Sequence, residues 1–112
     1  MTRRSEVMLW AAQRVSAMVL AVCVLLHLAG IIYATRHGLS AADILGRTRG
    51  SVPWACFYAL FSVMVAVHAS IGLRTVLAET FSWRGNTLDL SVLVIGIALA
   101  GFGLRAVVGL FL

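Results

Sequence analysis

The sequence predicts an all-α membrane protein of three transmembrane helices, and three observations predict it. Of 112 residues, 62% are apolar and only 12% are charged, about half the roughly 25% usual for a soluble domain. Mean hydropathy is +1.01, more apolar surface than so short a chain can hide from water. The apolar residues also gather into three runs. Residues 15–34 and 51–73 are free of charge, and residues 90–112 are broken only by Arg105. Each run is long enough as a helix to cross about 30 Å of hydrocarbon. A soluble enzyme is excluded by this balance. The formal charge of +5 does not indicate a nucleic-acid partner either. All the basic residues are arginines, scattered singly around the apolar runs as membrane flanks are.

Taken in order, the elements are helices of approximately 5–37, 51–78 and 88–112 in a single membrane domain spanning 1–112. Ser5 is the expected N-cap of the first helix, with Glu6 in the first turn. Gly38, after His37, fits its left-handed C-terminal cap. Ser40 and Asp43 have capping-box spacing, which predicts a short interfacial helix. Residues 46–53 read as a loop, with Pro53 in the first turn of the second span. Residues 81–86 form a tight second loop. Trp10, Trp54 and Trp83 fall near span ends, where indole rings settle at the interface. Glycines at 30, 72, 96, 101, 103 and 109 fit close helix packing. The first run is longer than the roughly 7–15 residues of a secretory signal core, so cleavage is not expected.

Orientation follows from the arginines. Arg3, Arg4, Arg14, Arg74 and Arg84 flank one side, and Arg36, Arg47 and Arg49 the other. Five against three puts the N-terminus in the cytoplasm. Arg74 and Glu79 close the second span, paired with each other or with a docked soluble subunit.

Chemistry inside the spans falls to His27 and His68. A buried imidazole needs partners, so each is a functional candidate or a hydrogen bond between helices. Neutral imidazole is also a haem ligand. The first two spans are antiparallel. Measured from run ends taken as flush, His27 lies about 18 Å deep and His68 about 8 Å. An offset of about 10 Å is too large for one shared iron. Arg14, with Gln13 and Ser16, forms a polar group suited to a quinone carbonyl or a haem propionate. Arg105 can snorkel outward or face a propionate of an outer haem. Cys23 and Cys56 lie in apolar runs with no CxxC or CxxCH, so they read as small buried hydrophobes.

Gln13-Arg14-Val15-Ser16-Ala17 resembles the His-Arg-Val-Ser-Gly signature of the succinate dehydrogenase and fumarate reductase cytochrome b membrane anchors. His68-Ala69-Ser70-Ile71-Gly72-Leu73-Arg74 resembles that family's His-x-x-x-Gly-Ile/Leu-Arg element, and Glu79 stands where an acidic residue follows. The resemblance implies three helices in a haem-binding bundle shared with a partner anchor. It makes His68 an axial ligand of haem b and Arg14 part of the quinone and propionate region. Arg74 and Arg105 are further cofactor candidates. Trp10 and Ser16 complete the quinone candidates, Trp10 standing where well-known members carry a serine. Gln13 replaces the signature histidine. His27 resembles the helix-one ligand of two-haem members, which gives an outer haem at His27 and an inner one at His68.

The implied role is membrane anchor and electron-transfer subunit of a succinate:quinone or quinol:fumarate oxidoreductase, carrying one haem b or two, with quinone as substrate. The chain is not catalytic alone, having no flavin or iron–sulfur motif. Its partners would be a flavoprotein, an iron–sulfur subunit and a second anchor or second copy, in a bacterial inner membrane. The alternatives are a haem-free anchor of such a complex, or a small transporter or assembly protein. Transport would favour acidic residues within the spans, whereas Glu6, Asp43, Glu79 and Asp89 all lie at ends or in loops.

Overall fold

The computed structural model describes residues 2–112 and contains helices only among them: α1 (Arg3–Arg36), α2 (Ala41–Thr48), α3 (Val52–Phe81) and α4 (Asn86–Phe111). Helices α1, α3 and α4 are each long and apolar enough to cross a membrane. The bundle is 49 Å long and 24 × 23 Å across, enough to span a bilayer with its headgroups. Helix α3 is central, and α1 and α4 each pack against it in antiparallel register.

The helix ends follow from local chemistry, with three departures from expectation. The α1 N-cap is Thr2, whose side chain accepts from the Ser5 N–H, so Ser5 lies inside the first turn. A hydroxyl three residues upstream competes for the same free amides, and it wins here. The capping box of α2 forms as expected: the Ser40 N–H donates to Asp43 Oδ2 at 2.9 Å, and the Asp43 N–H donates to Ser40 Oγ at 3.2 Å. However, α2 runs through Gly46 to Thr48, so the loop before α3 is confined to residues 49–51. Helix α3 also runs on to Phe81, where Ser82 takes the left-handed conformation at φ 55°. Gly38 is left-handed at φ 61°, as a C-terminal cap requires.

Helix α2 lies against the C-terminal end of α4. The Thr48 hydroxyl donates to the Leu110 carbonyl at 2.9 Å, and the Gly50 N–H to the Phe111 carbonyl at 2.8 Å. The last carbonyls of α4 have no partner within their own helix, and these bonds satisfy two of them.

Helices α3 and α4 approach closely at two small-residue positions. A Cβ on Gly96 would meet Ser70 Oγ, and one on Gly103 would meet Ser62 Cβ at 2.7 Å. Gly72 faces Gln13 across the α1–α3 seam. Gly30, Gly101 and Gly109 have open space instead, so close packing does not account for them. The buried core is thin, centred on Ala78, Leu88 and Val92. Large apolar side chains such as Met18, Leu25, Leu93 and Phe102 face outward, as suits a protein whose solvent is lipid or a neighbouring membrane helix.

Candidate functional site

Both span histidines lie on the α1–α3 seam. Ser16 Oγ lies 3.4 Å from His68 Nδ1, and Tyr58 Oη lies 3.4 Å from His27 Nδ1. These pairs fix the register: residue 16 faces 68, and 27 faces 58. His68 and His27 are therefore separated by about eleven residues of α1, or about 16 Å. The flush-ended estimate of about 10 Å is too small. The spans do not start level, because Gln13, not Val15 or Ser16, faces Gly72. The wider gap strengthens the conclusion that one iron cannot take both side chains.

The two surroundings differ. Ser16 is buried, with 1% of its surface exposed. Its hydroxyl donates to the Gln13 carbonyl at 3.0 Å while facing His68. His27 sits edge-on to Tyr58 and Phe61, with ring centroids 5.8 and 5.6 Å away. Among the described residues neither histidine has a hydrogen bond at Nε2, the nitrogen that would face a haem iron.

A cleft of about 470 Å³ opens at the α1 N-terminal end, lined by Trp10, Gln13, Arg74, Thr75 and Arg84 among others. Gln13 Oε1 is buried without a hydrogen-bond partner. Trp10 lines this cleft, and the Arg14 guanidinium carbon stacks 5.0 Å from the Trp10 ring centroid. Ser16 points into the seam rather than the cleft. Arg74 does not pair with Glu79: its Nε donates to Asp89 Oδ1 of α4 at 2.9 Å. The sequence misses that pair because residues 74 and 89 meet only once the α3–α4 turn is folded.

At the other end, a smaller cleft of about 210 Å³ is lined by His27, Tyr33, Arg47, Trp54 and Tyr58. Arg47 lies over Tyr33, 5.5 Å from its centroid. Arg105 is exposed. The Ser62–Gly103 contact puts it within about one turn of the level of His27. Cys23 is buried but Cys56 is exposed, so only Cys23 acts as a core residue. No cluster of three or more metal-ligating side chains occurs among the described residues. Tyr58 was missed by the sequence reading. Its spacing from His27 means nothing until α1 and α3 are paired.

These features define a multi-pass helical membrane protein with an imidazole at two depths of one helix seam and a polar cleft at one end. The model of the succinate dehydrogenase/fumarate reductase transmembrane subunit matches residues 1–105. The chain belongs to that family, and is thus a membrane subunit of a complex with other subunits. Comparison with curated proteins and with solved structures finds no match.

Proposed function

We propose that this subunit ligates haem b through His68 and helps form a quinone site around Trp10 and Arg14. The observation that carries the haem assignment is the Ser16–His68 pair on the α1–α3 seam. It holds the ring at Nδ1 and leaves Nε2 without a hydrogen bond. A neutral imidazole so held fits a haem iron. This chain supplies one axial ligand, and a second anchor or second copy supplies the other. Bound there, haem b supplies one-electron exchange between the iron–sulfur subunit and quinone.

The quinone assignment draws on the cleft at the α1 N-terminal end, with its Trp10 wall and Arg74 donor, and with Arg14 stacked on Trp10 beside it. That end carries Arg3, Arg4, Arg14, Arg74 and Arg84 and faces the cytoplasm of a bacterial inner membrane. The flavoprotein and iron–sulfur subunits dock on it.

A second reading adds an outer haem at His27. The separation of about 16 Å and the nearby cleft favour it, with Arg105, within about one turn of that level, as its propionate partner. A reduced-minus-oxidised spectrum of the purified complex, with haem counted per chain, separates the readings. One b-type haem in a complex with one copy supports His68 alone. Two put His27 on the outer haem. None leaves a haem-free anchor and overturns both.

A further inference from the structure

We propose that Ser16 is a positioning residue that fixes the tautomer of His68 and thereby tunes the reduction potential of a haem bound there. The inference rests on His68 being that haem's ligand.

A serine hydroxyl has one proton to give. Ser16 gives it to the Gln13 carbonyl, 3.0 Å away on the preceding turn of α1. With the proton so placed, its oxygen is the acceptor facing His68 Nδ1, which lies 3.4 Å across the seam. Nδ1 therefore carries the ring proton, and Nε2 keeps the lone pair that a metal needs. The opposite tautomer would set two lone pairs against each other. Because Ser16 is 1% exposed, water cannot enter to substitute as the acceptor. Helix α1 is unbroken from Arg3 to Arg36, so the Gln13 carbonyl stays within reach of the Ser16 proton.

His27 lacks this arrangement. The Tyr58 hydroxyl has no partner besides His27 Nδ1 among the described residues. It can donate or accept, so it leaves the His27 tautomer open. At His68 the choice is made by α1 alone.

A ligating histidine that donates its other N–H becomes a more basic ligand. A more basic ligand favours ferric over ferrous iron and so lowers the haem potential. Removing the acceptor raises it.

The test is a redox titration of the haem absorbance in the purified complex, comparing wild type, Ser16→Ala, Ser16→Thr and His68→Ala. Ser16→Ala retains haem and shifts the ferric/ferrous ratio at fixed potential roughly tenfold toward ferrous, taking as its scale the low end of what outer partners contribute to metal affinity or activity. That equals a rise of about 59 mV for a one-electron couple. Ser16→Thr, whose hydroxyl can make the same helical back-bond, restores the wild-type value. A Ser16→Ala complex that titrates with wild type overturns the role of Ser16, as does a threonine variant that behaves like alanine. If alanine costs the haem itself, a threonine variant with haem at the wild-type potential upholds the proposal, and one without haem overturns it. Haem kept by His68→Ala is a different failure, since it removes the ligand assignment beneath.

Discussion

The two ends of the α1–α3 seam use the same residue type in different ways. At the N-terminal end of α1, His68 meets a buried serine whose hydroxyl also donates to the Gln13 carbonyl. Beside it lie a polar cleft and the Arg74–Asp89 pair. At the α2 end, His27 meets a tyrosine free to donate or accept, within a cluster of Tyr58, Phe61, Phe57 and Trp54. One end is organised by directional hydrogen bonds, the other by aromatic packing. A histidine inside a membrane span is therefore not one kind of feature. Its neighbours across the seam decide which hydrogen bonds its Nδ1 makes.

That difference depends on α3 and α4 holding their register, so the largest effect on stability is expected where they are closest. Gly103→Leu would drive a side chain into Ser62. It should destabilise the purified protein by about 1–3 kcal/mol, as overpacking does, read as an earlier thermal unfolding in detergent. Gly109→Leu, with open space around it, should leave unfolding unchanged. Equal loss in both would show that bulk, not the close contact, matters.

A smaller effect is expected at the Arg74–Asp89 pair, whose side chains are 26% and 49% exposed. Asp89→Asn should cost about 0.2–1 kcal/mol and less at high salt. Because Arg74 lines the cleft, the same variant should also change quinone reduction kinetics. Altered kinetics with unaltered haem would separate the cleft from the seam.

The smallest effect belongs to the α2 end. Hydrogen bonds from Ser40, the backbone N–H first and the hydroxyl second, hold the Asp43 carboxyl below its ordinary value, with Arg47 adding to them. A carboxyl with a depressed folded value stabilises above its unfolded pKa, about 3.9, and loses that contribution as pH falls through the lower folded value. Hydrogen exchange of the α2 amides should thus be level from pH 7 to about 5, then show lost protection below about 4 after correction for intrinsic rates. Asp43→Asn should flatten the profile.

The spans were legible because run length and charge spacing are local properties, and so was the Ser40–Asp43 box. Thr2 as N-cap was not, since Thr2 and Ser5 are both capping hydroxyls and only the path of the first turn chooses between them. Both histidines could be picked out because a polar ring in a charge-free run stands out. Their partners could not. Ser16 and His68 are 52 residues apart, and Tyr58 and His27 are 31 apart. These pairings depend on how far α1 and α3 slide past each other. Taking the runs as flush displaced that register by about four residues, and the depth offset by about 6 Å. Asp89 was hidden because it lies 15 residues beyond Arg74, on the far side of the α3–α4 turn.

The most direct measurement of the central claim is haem content by reduced-minus-oxidised spectroscopy in complexes carrying His68→Ala or His27→Ala. The account predicts that His68→Ala removes the haem at the Ser16 end while the complex still assembles. It also predicts that His27→Ala leaves that haem with its wild-type spectrum and potential. A His68→Ala complex with the full wild-type haem spectrum would contradict it.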